Sequence, residues 1–333
     1  MQGEKSRMRL FFIGDLYSNT GPAIVNKQYK KCASVNEVTF SEKKKINSRF
    51  LELIYKIFTC DSILFSGLSK QNVLGIILAK ILHKKTFYLM HGYYKIESNF
   101  ESKILREEQK LENYVLKKID YIICVSEEFS ENLKKDRKDL EDKIMFINNG
   151  VNKEKNLIPS NNKVTKVTYN ILSVGGGMKI KNNLAICKAI EEMKDVKIKF
   201  IVIGNLGIDG QEIKKYNFVE YYDNLLHDEV LNKMSNADLY IQNSYFETFG
   251  LAVIEAIQMG CKILISKNVG AKSIIENITD DNIINNVEDL NEIKEKVIKL
   301  LKDDKKERYK IKNEASWENS YKKLIKIIKE KSK

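Results

Sequence analysis

The chain has 333 residues, 43% of them hydrophobic and 31% charged, a composition that excludes a disordered protein. Its length predicts two domains of ordinary size. The chain shows no apolar run near the roughly 20 residues that a membrane-spanning helix needs. The segment up to Gly21 lacks the apolar core and the cleavage site of a signal peptide, so we interpret it as containing a first buried strand.

Five cysteines are scattered singly along the chain, with no Cys-x-x-Cys pair. This spacing favours neither a disulfide framework nor a zinc site. We therefore expect a cytoplasmic protein whose thiols are small core residues in a reducing compartment.

The net charge of +12 comes mostly from lysine. Such a charge favours an anionic partner, for example an acidic lipid or a phosphorylated ligand. A lysine-rich surface with no specific partner would explain the charge equally well. Because the lysines are dispersed and no recognised nucleic-acid motif accompanies them, we do not expect a nucleic-acid partner.

Short apolar runs alternate with longer amphipathic segments from one end of the chain to the other. The runs predicted as buried strands are Leu10–Ile13, Ser62–Phe65, Thr86–Met90, Tyr121–Val125, Met145–Ile147, Val167–Val174, Ile198–Ile203, Leu239–Ile241 and Lys262–Ile265. The clearest predicted helices between them are Val73–Leu82, Lys103–Lys118 and Leu184–Met193. This alternation predicts an α/β fold with parallel sheets that are covered by helices on both faces.

The polar segment Asn152–Lys166 interrupts this alternation and carries one of the two prolines. We place an interdomain linker there. The prediction is then an N-terminal doubly wound domain over residues 1–152 and a second over residues 167–316. A lysine-rich amphipathic helix over residues 317–333 is predicted to pack back on the first domain.

The stretch Asn243–Ser273 holds the most chemical information. It predicts a loop after the strand Leu239–Ile241, a helix that Gly250 opens and Gly260 caps, and then the next strand. In open α/β sheets, ligands bind outside the carboxyl ends of the strands. The beginning of a helix also presents unpaired N–H groups and a positive dipole end, which suits a phosphate.

The string Glu247-Thr-Phe-Gly-Leu-Ala-Val-Ile-Glu255-Ala, with Ser244 before it and Gly260 and Gly270 after it, resembles the Glu-x7-Glu signature of the family 4 retaining glycosyltransferases. The resemblance continues in the segments 120–127, 148–152, 173–183 and 316–318. It implies the GT-B fold, in which two Rossmann-like doubly wound domains face each other across a cleft. The N-terminal domain would bind the acceptor, and the C-terminal domain would bind a nucleotide-sugar donor.

The resemblance also implies roles for residues around the signature. Glu255 would bind the ribose of the donor, and Glu247 would contact hydroxyls of the transferred sugar. Donor contacts are further expected at Thr248 and at the segment Phe249, Gly250 and Leu251, whose backbone N–H groups would face the sugar and the diphosphate.

Three further positions follow from the same resemblance. Lys181 matches a lysine that neutralises the diphosphate, with Lys179 as a near competitor. Gly176 lies in the expected donor site, at a position near which many relatives carry an arginine. One cationic contact is therefore missing here or is supplied from elsewhere.

Two positions in the N-terminal half match less specific features of the family. His91 ends a predicted strand and corresponds to a histidine near the reactive carbon or the 6-hydroxyl of the sugar, although a lone histidine is commonly structural. Gly21 resembles the family's glycine loop over the donor phosphates, and a simple turn explains it equally well.

The expected activity is that of a retaining hexosyltransferase of class EC 2.4. A uridine nucleotide is favoured as donor, and the acceptor is a glycan or a lipid-linked sugar, as in the biosynthesis of a surface polysaccharide or glycoconjugate. No Asp-x-Asp motif occurs, so we expect no bound metal and no cofactor beside the nucleotide-sugar substrate.

Several alternatives stay open at this point. The segment Lys43–Phe58 mixes lysines with aromatic residues as a helix at an anionic membrane surface does, which would place the protein on the inner face of the cell membrane. A surface helix that packs on its own domain has the same pattern. A non-catalytic subunit that supports a partner enzyme, a sugar-nucleotide epimerase or a hydrolase would also fit the fold, and an oligomer is compatible with it.

Overall fold

The computed structural model describes residues 8–34, 37–43, 46–100, 105–152, 167–303 and 309–333. These residues form two compact units. The first unit contains the described residues up to 98 together with 105–152 and 313–333, and the second contains residues 99–100, 167–303 and 309–312. The expected linker lies almost wholly outside the described residues.

The first unit is built on a parallel sheet of six strands. Its strands are β1 (Leu10–Ile13), β2 (Val38–Phe40), β3 (Ser62–Ser66), β4 (Lys85–Met90), β5 (Tyr121–Cys124) and β6 (Ile144–Phe146). Their spatial order is β2-β1-β3-β4-β5-β6. The helices are α1 (Gly21–Cys32), α2 (Ile46–Thr59), α3 (Lys70–Ile81), α4 (Tyr94–Glu97), α5 (Leu105–Lys118) and α6 (Glu127–Asp136). All residues of the central strands β1 and β3 are buried, as expected for strands covered by helices on both faces.

The second unit repeats this architecture. Its strands are β7 (Tyr169–Val174), β8 (Ile198–Ile203), β9 (Val219–Tyr222), β10 (Leu239–Gln242), β11 (Lys262–Ser266) and β13 (Ile283–Ile284), and β12 (Ile275–Glu276) pairs antiparallel with β14 (Lys310–Ile311). Its helices are α7 (Asn183–Glu191), α8 (Gly210–Ile213), α9 (His227–Ser235), α10 (Leu251–Gln258) and α11 (Leu290–Lys302). The main sheet is parallel, with the order β13-β11-β10-β7-β8-β9.

The strand order of the second unit places its first strand in the interior of the sheet. From β7 the chain adds β8 and β9 on one side and then β10 and β11 on the other. The direction of winding therefore reverses between β7 and β10, and the loops that follow these two strands diverge at the carboxyl edge. This is the position at which doubly wound sheets bind their ligands.

A final helix, α12 (Trp317–Lys331), lies in the first unit. The Trp317 ring meets the buried Tyr29 ring edge-on, with centroids 5.8 Å apart. The hydroxyls of Tyr29 and Ser320 are 2.8 Å apart. Gly150 allows the chain to approach, because a Cβ there would lie 2.4 Å from Cα of Trp317. The helix thus completes the core of the unit in which the chain begins.

Among the described residues of the first unit, Glu112 has a buried carboxyl group. Glu112 on α5 is only 1% exposed, and its Oε1 has no hydrogen-bond partner among the described residues. Burial, together with the nearby Glu97 carboxylate, raises the pKa of Glu112 to about 9, while the backbone of Tyr94 and Lys95 and the Arg137 guanidinium act in the opposite direction. Glu112 is therefore protonated at neutral pH.

The structure confirms the predicted fold class, two parallel-sheet α/β units. It corrects one local detail at the signature helix. Gly250 precedes α10 instead of opening it, because its φ of 96° is not helical, and the helix begins at Leu251.

Candidate functional site

The loop after β7 is shaped by three consecutive glycines. Gly176 has a φ of 57°, and a Cβ there would lie 2.1 Å from the carbonyl oxygen of Asn205. A Cβ on Gly177 would lie 1.9 Å from the carbonyl oxygen of Leu206. The N–H of Gly176 donates to Ile203 at 3.0 Å. The loop therefore packs backbone against backbone on the loop after β8, and an arginine does not fit at position 176 in this conformation.

The glycine loop leads to Lys181, which ends a short 3-10 helix, Lys179–Lys181. The Lys181 side chain lies against Gly175, is mostly buried, and its ammonium forms an ion pair with Glu247. Lys179 is exposed and acts electrostatically on Asp209 instead. Of the two competing lysines, Lys181 is the one that the structure brings to the signature loop.

The loop between β10 and α10 holds Glu247 in place through its backbone. The carbonyl of Glu247 accepts from Gly270 N–H at 3.1 Å, and the carbonyl of Phe249 accepts from Ala271 N–H at 2.7 Å. Phe246 and Phe249 are buried and anchor the same loop in the core. The loop is thereby held at the sheet edge.

The Glu247 carboxylate has two donors on one oxygen. Its Oε2 accepts hydrogen bonds from the Lys181 ammonium and from Nε2 of Gln242, the latter at 2.7 Å. The side chain of Glu247 is only 15% exposed. A carboxylate in these surroundings can accept a hydrogen bond from a sugar hydroxyl, and the adjacent ammonium can neutralise a phosphate.

The first turn of α10 lies directly beyond this pair. Gly250 occupies the N-cap position, Thr248 and Leu251 beside it are partly buried, and the turn contains no acidic residue. The first N–H groups of a helix lack intrahelical partners and form the positive end of its dipole. This end of α10 is therefore suited to an anion.

Glu255 lies one turn further along α10. Its Oε1 is 2.9 Å from Nε2 of His227, the first residue of α9. The side chain of Glu255 is 25% exposed and that of His227 is 58% exposed, so both are accessible to a ligand.

In the first unit, His91 follows the last residue of β4. Its Nε2 is 2.8 Å from the Ser66 hydroxyl, which in turn donates to the Asn26 side chain at 2.5 Å. Burial lowers the pKa of His91 to about 4, so the ring is neutral at physiological pH. Gly21 is the first residue of α1, and a Cβ there would meet no atom of the described residues within 4 Å.

The structure thus brings Lys181 and Glu247 into contact and places Glu255 on the helix that begins beside them. Sequence reasoning missed two partners of these residues, Gln242 and His227. Gln242 carries a detectable signal, because an amide at the end of a fully buried strand needs a hydrogen-bond partner. The sequence gives no such signal at His227, because this residue is exposed and far from Glu255 along the chain.

The described ranges lack two kinds of feature, a cluster of metal-binding side chains and a membrane-spanning helix. In them, no group of three or more His, Cys, Asp or Glu side chains is arranged to hold a metal ion. No helix in this part of the chain is long and apolar enough to cross a membrane.

The two parallel-sheet α/β units match the GT-B fold of solved glycosyltransferase structures. Residues 152–317 match the family described as Glycosyl transferases group 1. A search by sequence among curated proteins gives no match. The family match and the GT-B structural neighbours together support a glycosyltransferase of class EC 2.4.

Solved structures with the same fold cover almost the whole chain. Sucrose-phosphate synthase from Thermosynechococcus elongatus is 15% identical, with a TM-score of 0.65 over 98% of this chain and 96% of that one. The lipopolysaccharide outer core galactosyltransferase WaaB in its apo form is 15% identical, with a TM-score of 0.65 over 97% and 100%. The catalytic domain of Starch Synthase IV from Arabidopsis thaliana, bound to ADP and acarbose, is 10% identical, with a TM-score of 0.70 over 98% and 99%. At these identities the likeness concerns the fold.

Proposed function

We propose that the protein is a retaining glycosyltransferase of family 4 that moves a sugar from a nucleotide diphosphate donor, preferentially a uridine one, to a glycan or lipid-linked acceptor. The observation that carries the proposal is the Lys181–Glu247 pair at the carboxyl edge of the second sheet, beside the beginning of α10. The match of residues 152–317 to a glycosyltransferase family supports it.

The donor would bind to the second unit in an extended manner. Glu255 would hold the ribose hydroxyls, the N–H groups at Phe249, Gly250 and Leu251 would receive the sugar and the diphosphate, and the free oxygen of Glu247 would accept from a sugar hydroxyl. On donor binding, Lys181 would share its charge between Glu247 and the diphosphate.

In the proposed reaction, the bond between the anomeric carbon and the phosphate oxygen breaks, and the diphosphate leaves with the electron pair. The acceptor hydroxyl forms the new bond on the same face, and its proton passes to the departing phosphate oxygen. The protein contributes positioning and charge stabilisation, by Lys181 and the N-terminus of α10, to the diphosphate as its negative charge grows. We propose that this occurs without a bound metal, so activity that a chelator abolishes and manganese restores would contradict the mechanism.

The acceptor would bind to the first unit, in which His91 is neutral and can hydrogen-bond to a hydroxyl group without adding charge. We place the active protein in the cytoplasm, in the biosynthesis of a surface polysaccharide or glycoconjugate.

The test is the release of nucleotide from a panel of UDP-, GDP- and ADP-sugars by wild-type protein and by Glu247→Ala, without added metal. We expect turnover of one donor and its loss in the variant. Glu191→Ala serves as a matched control, because Glu191 is an exposed glutamate at the far end of α7. If no donor turned over while a nucleotide raised the melting temperature, the protein would be a non-catalytic subunit instead.

We further propose that α2 docks the protein on an anionic membrane. Its outer face exposes large apolar side chains: Leu51 at 68%, Tyr55 at 66% and Phe58 at 58%. These residues are spaced on one side of the helix, and Lys43 and Lys56 lie nearby in sequence. Co-sedimentation with phosphatidylglycerol vesicles should exceed that with phosphatidylcholine vesicles and should fall in Leu51→Glu. Equal binding to both vesicle types would refute the proposal.

A further inference from the structure

The last residue of β10, Gln242, is a buried amide that contacts the signature loop. It is 2% exposed, and its Nε2 donates to Oε2 of Glu247 at 2.7 Å. A second, longer contact of the same nitrogen reaches the Ser244 hydroxyl at 3.4 Å. The neighbouring strands and the loop surround the amide, so the Glu247 contact is made away from bulk water.

Tyr240 determines the orientation of this amide. It lies two residues earlier on the same face of β10, is fully buried, and donates its hydroxyl proton to Oε1 of Gln242 at 3.0 Å. Burial, together with the Glu247 and Glu255 carboxylates, raises the pKa of Tyr240, so the hydroxyl keeps its proton. Because Oε1 is occupied by a donor, Nε2 must point at Glu247, which as a carboxylate can only accept.

The chain of contacts makes the two oxygens of Glu247 unequal. Gln242 and Lys181 both bond to Oε2, whereas Oε1 accepts no hydrogen bond from any residue in the described ranges. Any rotation of the carboxylate short of a half-turn would break the Gln242 contact, and a half-turn only exchanges two equivalent oxygens. One oxygen is therefore held inside the unit and the other is left for an external hydroxyl.

We propose that Gln242, oriented by Tyr240, is a positioning residue that fixes the Glu247 carboxylate for the donor sugar. The inference rests on the proposed function, since it assigns a partner to the residue that would contact the sugar. Neither residue would touch the donor itself. Replacing either residue would leave the Glu247 carboxylate without a fixed orientation. A misplacement of a contacting group by about 1 Å can reduce a reaction rate by about 100-fold.

The experiment compares Tyr240→Phe, Gln242→Met and the double variant, using the donor that turns over fastest in the sugar-nucleotide panel. We expect kcat to fall about 10- to 100-fold in Gln242→Met and about 3- to 10-fold in Tyr240→Phe, with the affinity for the parent nucleoside diphosphate unchanged. Because Tyr240 acts through Gln242, the double variant should equal Gln242→Met. Tyr240→Phe removes only a hydroxyl group, so it tests the inference even if Gln242→Met does not fold.

Tyr309→Phe is a matched control in the same unit. Its hydroxyl also contacts a buried amide, that of Asn282 at 2.8 Å, but at the amino end of β11, where the Asn282 amide also donates to Ile263. A loss of stability without a loss of kcat is expected for this variant. An equal kcat loss in Tyr309→Phe and Tyr240→Phe would show a general packing effect and overturn the inference.

Binding distinguishes the inference from the proposed function. Calorimetry gives the affinities of the wild-type protein for the donor and for its parent diphosphate, independently of turnover. If the wild-type protein turns over or binds a donor and Gln242→Met behaves identically, the positioning role is refuted and the function stands. If the wild-type protein neither binds nor turns over any sugar nucleotide, the proposed function is refuted and the inference with it.

Discussion

Replacing Glu112 by glutamine tests the buried carboxyl group of α5. The folded protein raises the pKa of this group to about 9 from an ordinary value of 4.5, because burial and Glu97 disfavour its charged form. Between these two values the unfolded chain releases a proton that the folded chain retains. The free energy of unfolding therefore falls as the pH rises, by about 1.4 kcal/mol per pH unit.

The amide of the variant does not titrate, so the free energy of unfolding of Glu112→Gln lacks this dependence on pH. Glu112→Gln should thus have a stability close to that of wild type near pH 4.5 and should become progressively more stable than wild type above it. The advantage should grow by about 3 kcal/mol between pH 6 and pH 8.

Urea denaturation at several pH values measures this difference. The chain has a single tryptophan, Trp317, which lies in the same unit as Glu112, so its fluorescence reports the unfolding of that unit. Glu107→Gln, an exposed position on the same helix, is the matched control and should follow wild type. A stability difference between Glu112→Gln and wild type that does not change with pH would refute the reasoning.

Three further predictions concern the second unit. Lys181→Met should reduce kcat by about 100-fold or more, because it removes the cation beside the diphosphate, whereas Lys179→Met should retain activity. Equal losses of kcat for the two variants in steady-state assays would contradict the role of Lys181. His227→Ala should raise the Kd for nucleotide about 2- to 5-fold, because the Glu255 carboxylate loses its partner. The effect is small because His227 is exposed and its contact with Glu255 is weak. An unchanged Kd in calorimetry would exclude a role of His227 in holding Glu255. Gly176→Ala should destabilise the protein by about 3 kcal/mol or more, since a Cβ would collide with the backbone of the adjacent loop, and a melting temperature equal to that of wild type would show that the loop can move aside.

The interior strands of both sheets could be predicted from the sequence because they are buried on both faces. Their continuous apolar runs, such as Leu10–Ile13 and Leu239–Ile241, are therefore visible without any knowledge of the partners. The edge strand β9 was missed, since all four of its residues are only partly buried and two tyrosines and a glutamate interrupt the pattern. The beginning of α3 lies three residues before the predicted one, at Lys70, because the Ser69 side chain caps the helix.

The site could be predicted in its residue types but not in its connections. The resemblance supplied Glu247, Glu255 and Lys181, which stay predictions as ligand contacts. Their partners Gln242 and His227 depend on the register of β10 and on the approach of α9 to α10. Distances of this kind are properties of the folded sheet and are not encoded in local spacing.

The return of α12 to the first unit affects how the protein can be made. Tyr29 bonds to Ser320, and Ser62 to Ser332, across nearly the whole chain. During translation, the second unit has all its own strands and helices before α12 has left the ribosome. The first unit has an uncovered Tyr29 and an incomplete core until α12 has emerged. Its exposed apolar surface is then a natural point of contact for a chaperone.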